Sequence, residues 1–331
     1  LGIPQLVIGL TIVSLGTSAP EFFVSASSVF NNSDALAVSN VVGSNIFNIL
    51  VVLGTSAIVM PLKVESRLVK RDVPLLLAIS AAVWGMASTG KVTWQSGVAL
   101  LIALAINTLW EIRTVQEDPE RSQAAEPEIN QSNISRKWIK SLLYLTGGIT
   151  LLSLGSNLLV GGASSVAKIL GVSEAVIGLT IVSAGTSMPE LVTSLVAAIK
   201  GRTDLAIGNV VGSNLLNQLL VLSSSAIFTG SRGLAVEDLI IQRDIPVMLL
   251  ATLALNPIFW SNGRISRNEG MILVTLYLFY LIDQLLPHTL PTWQDEFRLI
   301  VFCVILPIAI GLIAYETVQY SMLRKRENIS S

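Results

Sequence analysis

The sequence predicts an all-α polytopic membrane protein built from two halves that repeat each other in opposite orientations. Of its 331 residues, 52% are hydrophobic and only 13% are charged, whereas soluble domains carry about 25% charged residues. The apolar residues form long runs, and a motif near the amino terminus recurs in the second half. This composition argues against a soluble enzyme, and we expect no enzyme activity.

Ten apolar runs are candidates for membrane spans, since a helix needs about 20 apolar residues to cross the hydrocarbon layer. They lie near residues 4–29, 35–61, 73–90, 94–112, 138–167, 173–199, 204–229, 245–262, 269–286 and 297–319. Several runs are longer than one crossing needs, which allows a tilt or a break. No alternation with a period of two is present, so a β-barrel is disfavoured.

The repeated motif has two parts. Residues 9–21 (GLTIVSLGTSAPE) and 178–190 (GLTIVSAGTSMPE) are identical at eleven of thirteen positions. Residues 40–53 (NVVGSNIFNILVVL) and 209–222 (NVVGSNLLNQLLVL) are identical at ten of fourteen. Because five predicted spans separate the two copies, the second copy runs in the opposite direction through the membrane. Inverted repeats of this kind are typical of secondary transporters.

The organisation along the chain follows from the repeat. We predict a first inverted repeat at 1–112, a cytoplasmic linker at 113–137, a second inverted repeat at 138–290, and an additional transmembrane helix with a basic tail at 291–331. The linker lacks apolar periodicity and is polar throughout. The second repeat has an apolar segment before its motif, and the first has no counterpart before Leu1. We therefore expect that the first helix is absent here and that the sequence is a fragment.

The orientation follows from the basic residues. With Leu1, the linker and the carboxyl terminus in the cytoplasm, 16 of the 21 Lys and Arg residues lie on that side, as membrane proteins prefer. The pairs Arg71-Asp72 and Arg243-Asp244 begin matching spans. We expect these pairs to cap their helices and to anchor them at the interface.

Each copy of the motif carries a proline followed by a glutamate inside an apolar run. Pro20 removes a backbone donor and clashes with the carbonyl group of Gly16, so the helix should kink or break there. Glu21 follows at once, and the second copy has Pro189 and Glu190. Backbone that is not helical is tolerated at membrane depth only where it lines a cavity or is buried in protein.

The two glutamates and the nearby hydroxyl and amide groups form an all-oxygen set that suits sodium, calcium or magnesium. A charged carboxylate at mid-membrane costs at least about 2.5 kcal/mol. One calcium ion balances two carboxylates, and two or three sodium ions or bound protons do the same. Other roles stay open: the glutamates can hydrogen-bond to a neighbouring helix, Asn45 and Asn214 can be ligands or packing residues, and Gly43 and Gly212 fit close helix packing.

At these residues the sequence resembles the cation/calcium exchanger superfamily, and it looks closest to the prokaryotic sodium/calcium exchangers. The shared elements are G-T-S-x-P-E and G-S-N-x-x-N in both halves, and the similarity runs from Leu1 to about residue 286. The resemblance implies a 5+5 inverted-repeat transporter fold in a prokaryotic plasma membrane. It implies calcium and sodium as transported ions, the lipid bilayer as surroundings, no cofactor and no nucleic-acid partner, and a monomer is compatible with it.

Carried over position by position, the resemblance also implies the ion ligands. Calcium would bind Glu21 and Glu190 and carbonyl groups near Thr17 and Thr186. The sodium sites would use four serine side chains and two carbonyl groups, at Ser18, Ser44, Ser187 and Ser213 and near Ser14 and Ser183. Asn48 and Asn217 would complete the middle of the site, although helix–helix contact is a rival role for them and for Ser44 and Ser213.

One departure from the family bears on the ions. Some relatives have aspartate at the position of Asn217, and in the potassium-dependent branch an acidic residue there is linked to potassium transport. Asparagine therefore disfavours potassium coupling and removes a protonatable group. Sodium/calcium antiport is the leading hypothesis, with calcium/proton antiport through the same glutamates as the closest alternative. A cation channel and a scaffold that does not transport remain further alternatives.

Overall fold

The structure is a computed structural model that describes residues 8–117, residues 171–312, Tyr315 and isolated positions between 147 and 169. Most of the predicted linker, most of the span near 138–167 and the basic tail lie outside the described residues. Within them the chain is helical, as predicted, with two pairs of very short strands.

The helices of the first half follow the predicted spans. They are α1 (residues 9–17, with a π-helical turn at Gly9–Val13), α2 (Ala19–Phe30), α3 (Asp34–Val59), α4 (residues 68–87) and α5 (Trp94–Glu117). Because α5 continues to Glu117, the first five residues of the predicted linker, 113–117, are helical.

The second half repeats this order. Its helices are α6 (Glu174–Thr186), α7 (Met188–Ile199), α8 (Thr203–Phe228), α9 (residues 240–262) and α10 (Arg267–Thr289). A further helix, α11, begins at Gln294 and continues to residue 312, where the additional helix was predicted.

Four helices in the described part of the chain are each long and apolar enough to cross a membrane, namely α3, α5, α8 and α10. The pair α6 and α7 forms a fifth candidate span, which is bent by 44° at its break. This bend confirms the interrupted helix that the proline in the motif predicts.

Two strand pairs show that the halves run in opposite directions. β1 (Leu62–Lys63) pairs with β4 (Arg264–Ile265), and β2 (Lys91–Val92) pairs with β3 (Leu234–Ala235), both antiparallel. Helix α4 connects β1 to β2, and a helix of its length spans about 30 Å, so the two pairs lie at opposite ends of the molecule. Since α3 leads into β1 and α8 leads into β3, these helices are antiparallel, as an inverted repeat requires.

Helices α3 and α8 form the centre of the molecule. In each, 89% of the most apolar 18-residue stretch is buried, against 17% for α5 and 33% for α10. Helix α1 packs against α8 and helix α6 packs against α3, so each motif helix contacts the central helix of the opposite repeat. The apolar outer faces of α5 and α10 suit contact with lipid.

Glycines allow this close packing. A Cβ atom at Gly43 would lie 2.5 Å from the carbonyl oxygen of Leu179, and one at Gly212 would lie 2.6 Å from that of Leu10. Small residues at such crossings let helix backbones approach each other in membranes. The packing role expected for both glycines is therefore confirmed.

The capping role expected for the Arg-Asp pairs is wrong. Asp72 and Asp244 lie at the end of the first, π-helical turn of α4 and α9, and neither makes a side-chain capping bond. Arg71 instead donates to Glu111 in α5 at 2.6 Å, and Arg243 donates to Asp244 at 3.0 Å. These buried charges pair with each other because water is not available to solvate them.

Candidate cation-binding site

The two glutamates begin helices that follow a break. Glu21 is the third residue of α2 and Glu190 is the third residue of α7, each directly after the proline of the motif. At the break, Ser18 and Ser187 have ψ angles of 4° and 9°, so the chain turns away from the α-helical path. Proline in the first helical turn costs no hydrogen bond, since the donor there has no partner in the helix. The positive end of each new helix favours a carboxylate at this position.

The carboxylates from the two halves meet at one place. Each is fully buried and accepts a hydrogen bond from the serine at the break of the opposite repeat. The Ser187 hydroxyl donates to Oε1 of Glu21 at 2.8 Å, and the Ser18 hydroxyl donates to Oε1 of Glu190 at 3.2 Å. This reciprocal exchange brings together the two residues at the centre of the predicted site.

Each glutamate also has one oxygen that the protein does not satisfy. Oε2 of Glu21 and Oε2 of Glu190 are buried and have no hydrogen-bond partner within the described residues. Neither glutamate has an ion pair with a Lys, Arg or His side chain in that part of the chain. A buried carboxylate without such compensation needs a cation or a proton.

The threonines of the motif contact the central helix of the other half. The Thr17 hydroxyl donates to Oδ1 of Asn209 at 3.2 Å, and the Thr186 hydroxyl donates to Oδ1 of Asn40 at 3.1 Å. With these side chains engaged, the threonine carbonyl groups at the break remain as the predicted cation ligands.

Two of the predicted serines line the same pocket. The Ser213 hydroxyl donates to Oε1 of Glu190 at 3.2 Å, and the Ser44 hydroxyl lies 3.4 Å from that of Thr186. Ser14 and Ser183 are turned away, because their hydroxyls donate to the carbonyl groups of Leu10 and Leu179 in their own helices. Their predicted role rested on backbone carbonyl groups.

The predicted asparagines lie in the two central helices, α3 and α8. Asn48 Nδ2 donates to Oδ1 of Asn214 at 3.0 Å, and its Oδ1 has no partner within the described residues. Neither amide atom of Asn217 has one, although the side chain is fully buried. Asn48 and Asn217 each begin a π-helical turn, in α3 and α8, and such turns are frequent at functional sites.

Asn40 and Asn209 are site residues to which the sequence prediction assigned no role. Asn40 Nδ2 donates to the carbonyl oxygen of Glu21 at 3.3 Å, and Asn209 Nδ2 donates to that of Glu190 at 3.4 Å. Each asparagine thus ties a glutamate backbone of its own half to a threonine of the other half. Their identity in both copies of the motif was the available signal.

The set of groups has a clear chemical character. It consists of two carboxylates with hydroxyl, amide and carbonyl oxygens, and the described residues contain no cluster of three or more His, Cys, Asp and Glu. Sulfur and imidazole ligands, which select transition metals, are not among the groups named above. The pocket therefore suits hard cations, which are bound by oxygen.

Comparison with known proteins agrees with this chemistry. The model of the family described as "Sodium/calcium exchanger protein" matches residues 1–113 and 140–286. The chain belongs to the sodium/calcium exchanger family. The family match confirms the resemblance noted in the sequence, and cation/calcium exchange by an integral membrane protein is the activity of the class.

Individual members of the sodium/calcium exchanger family match most of the chain. The CaxA protein of Alkalimonas amylolytica is 37% identical over 289 residues, which are 85% of this chain and 88% of that protein. The sodium/calcium exchanger MaX1 of Methanosarcina acetivorans is 28% identical over 316 residues, which are 85% and 89%. The ranges that the family model matches include both copies of the motif.

The fold of the sodium/calcium exchanger NCX_Mj matches the structure. A crystal of that protein soaked with Na+ and Sr2+ aligns with a TM-score of 0.68 and 31% sequence identity, covering 85% of this chain and 87% of the other. This match confirms the predicted transporter fold.

Proposed function

We propose that this protein is a secondary active antiporter that exchanges sodium for calcium across a membrane by alternating access around Glu21 and Glu190. The observation that supports the proposal most is the reciprocal pairing of the two carboxylates with serines of the opposite repeat. Two inverted halves thereby supply one buried site, which is the arrangement that alternating access needs.

The charge of the site explains why the two ions exchange. Glu21 and Glu190 are fully buried, so together they need about two positive charges. One calcium ion supplies both charges, and two or more sodium ions supply them at other positions in the pocket. Because both kinds of ion neutralise the same carboxylates, one kind displaces the other.

The positions of the oxygens support one assignment of the ligands. Calcium binds between the glutamate Oε2 atoms, which have no partner within the described residues, together with the carbonyl groups near Thr17 and Thr186. Sodium binds beside them, at sites formed by Ser18, Ser187, Ser44 and Ser213 and by the carbonyl groups near Ser14 and Ser183. Asn48 and Asn217 complete the middle of the site.

A flux measurement tests the proposal. The protein is reconstituted in vesicles, and calcium uptake is measured under an imposed sodium gradient. Glu21→Gln and Glu190→Gln should each abolish uptake, because the single carboxylate that remains cannot balance the charge of the bound ions. Glu296→Gln is the matched control, since Glu296 is exposed on α11 and lies beyond the family match. Uptake retained in either site variant would contradict the assignment of the glutamates.

Calcium/proton antiport is the second candidate. The buried Oε2 atoms of Glu21 and Glu190 are positions at which protons, in place of sodium, would neutralise the site. A pH gradient that drives calcium uptake in vesicles free of sodium would favour this candidate. Uptake that follows only the calcium gradient, with no counter-ion, would indicate a channel.

A further inference from the structure

Helix α11 lies beyond the predicted second repeat and beyond the residues that the family model matches, which end at residue 286. It packs against the end of α10, where the rings of Phe279 and Phe297 lie 6.1 Å apart. Arg298 of α11 donates to both carboxylate oxygens of Asp283 in α10, at 2.7 and 3.2 Å. The proposed exchange gives no role to this helix or to its ion pair.

Asp283 is part of a row of charges between α9, α10 and α11. Arg243 in α9 donates to both carboxylate oxygens of Asp244, at 3.0 and 3.1 Å, and its Nη1 lies 3.8 Å from Oδ2 of Asp283. The side chain of Asp244 is fully buried and also accepts from Tyr280 and Gln284. Among the described residues of α9 and α10, one arginine therefore faces two aspartates.

The matching cluster of the first repeat is balanced by its own residues. Arg67 lies 3.5 Å from Asp72 and forms an ion pair with Glu111. Arg71 donates to Glu111 at 2.6 Å and lies 3.7 Å from Asp72. Two arginines thus face two carboxylates, and all four residues belong to α4 and α5.

The sequence shows which arginine the second repeat lacks. The segments Arg71-Asp72-Val73-Pro74 and Arg243-Asp244-Ile245-Pro246 align, and this alignment places Leu239 at the position of Arg67. Leucine cannot neutralise a carboxylate, so α9 brings one positive charge to its cluster where α4 brings two.

The second carboxylate is present in both clusters. The crossing glycines Gly97 and Gly270 align α5 with α10, because a Cβ atom at either would lie 2.6 Å from a carbonyl oxygen on the central helix of the opposite repeat. Glu111 is then matched by Gln284, and the second carboxylate lies one residue earlier, at Asp283. The second repeat keeps two carboxylates and has one arginine fewer.

We infer that α11 is a built-in clamp of the second repeat: Arg298 supplies the positive charge that Asp244 and Asp283 lack, and thereby fastens α11 to α9 and α10. A carboxylate that is shielded from water and left without a partner is strongly destabilising. The bidentate geometry of an arginine on a carboxylate also fixes the orientation of the two helices that carry them.

Melting temperatures of the purified full chain test this inference. Arg298→Leu should lower the melting temperature by about 5 °C or more, because two aspartates are left with one arginine. Asp283→Leu should cost less, since the side chain of Arg298 is 35% exposed and water can solvate it, whereas that of Asp283 is 15% exposed. Arg264→Leu is the matched control: Arg264 is exposed in β4, and its loss should shift the melting temperature by less than about 2 °C.

The double variant Asp283→Leu/Arg298→Leu separates charge from packing. It removes both partners and leaves Arg243 and Asp244 as a balanced pair. Its melting temperature should lie within about 2 °C of that of the wild type, and above that of Arg298→Leu alone. The double variant also decides the test if Arg298→Leu gives no folded protein, since a folded double variant supports the clamp and an unfolded one contradicts it.

Two results would overturn the inference. One is an Arg298→Leu variant as stable as Arg264→Leu. The other is a double variant that loses as much stability as Arg298→Leu, because the loss would then come from packing and not from charge. Both results leave the proposed function intact, and a wild-type protein that shows no calcium uptake under a sodium gradient would leave the clamp intact.

Discussion

Ser18 and Ser187 each donate a hydrogen bond to the glutamate of the opposite repeat, so the site forms only when both broken helices are in place. The two glutamates do not accept the same number of side-chain hydrogen bonds. Glu190 accepts from both Ser18 and Ser213, each at 3.2 Å. For Glu21 the described residues show one side-chain bond within hydrogen-bond distance, from Ser187 at 2.8 Å. A carboxylate with fewer donors depends more on each of them.

This difference predicts an order of effects for two equivalent substitutions. Ser187→Ala should weaken calcium binding more than Ser18→Ala, because Glu21 loses a donor that is not replaced while Glu190 keeps Ser213. A hydrogen bond to a charged group contributes about 1.5–3 kcal/mol, so Ser187→Ala should cost at least about tenfold in affinity. Calcium titration of the purified variants measures this.

The control for both serine variants is Ser88→Ala. Ser88 is exposed at the end of α4, where its hydroxyl donates only to the Trp84 carbonyl group of its own helix. Its removal should leave calcium binding unchanged. Equal losses in Ser18→Ala and Ser187→Ala, or the reverse order, would show that the hydrogen bonds to the two carboxylates do not set the affinity.

The residues of the site were predictable to different degrees. Glu21 and Glu190 stood out because a carboxylate in an apolar run is costly and recurs in both halves. Asn40 and Gln218 were not assigned, because an amide in a membrane helix is equally compatible with helix contact. Only the folded structure brings Asn40 to the Glu21 backbone and Gln218 to Asn45.

At the scale of the helices, the closeness of α3 to α6 and of α8 to α1 places the site. A Cβ at Gly43 would approach the Leu179 carbonyl oxygen at 2.5 Å and the Ser183 hydroxyl at 2.7 Å. Both of these groups belong to α6, the helix that carries the predicted carbonyl ligands near Ser183 and Thr186. Added volume at Gly43 must therefore move this helix.

Gly43→Ala should consequently destabilise the protein by about 1–3 kcal/mol and lower its rate of exchange. Gly85→Ala is the matched control, since Gly85 also lies within a helix and a Cβ there would meet nothing within 4 Å. Alanine at that position should be neutral or stabilising by up to about 1 kcal/mol. Melting temperatures of the purified proteins and calcium uptake in vesicles measure both effects. A Gly43→Ala variant as stable as Gly85→Ala would contradict the steric argument.

The helices and their break were predictable, whereas their pairing was not. The length of the apolar runs predicts the spans, and Pro20 and Pro189 predict the breaks, because both features depend only on residues that are neighbours in the sequence. The π-helical turns and the two-residue strands left no pattern, since each involves too few residues to create a period. The predicted capping role of the Arg-Asp pairs was wrong because their side chains bond to distant helices instead. Arg71 donates to Glu111, and Asp244 accepts from Gln284.

For the whole molecule, the repeat was the decisive information. Two copies of one motif, separated by an odd number of spans, require antiparallel halves, and the strand pairs at opposite ends agree with this. How closely the halves approach, and which amide contacts which, depends on packing between residues more than 160 positions apart, such as the Ser187 and Glu21 pair. Such contacts cannot be read from local sequence.

The strand pairs and the charge distribution make separate predictions about the sides of the membrane. In a background with Cys303→Ser, single cysteines are introduced as Lys63→Cys, Arg264→Cys, Lys91→Cys and Ala235→Cys, all at exposed strand positions. Because β1 pairs with β4 and β2 with β3, positions 63 and 264 should react from one side and positions 91 and 235 from the other. Any other grouping would contradict the inverted fold.

The excess of basic residues then decides which side is which. Since the topology predicted from the sequence puts 16 of the 21 Lys and Arg residues on the side of Lys63, that side should be cytoplasmic. A maleimide that cannot cross membranes, added to intact cells, should therefore label positions 91 and 235 and spare positions 63 and 264 until the cells are permeabilised. The opposite labelling pattern would leave the inverted fold intact and would show that the protein has the reverse orientation in the membrane. Each face of the molecule would then meet the other aqueous compartment.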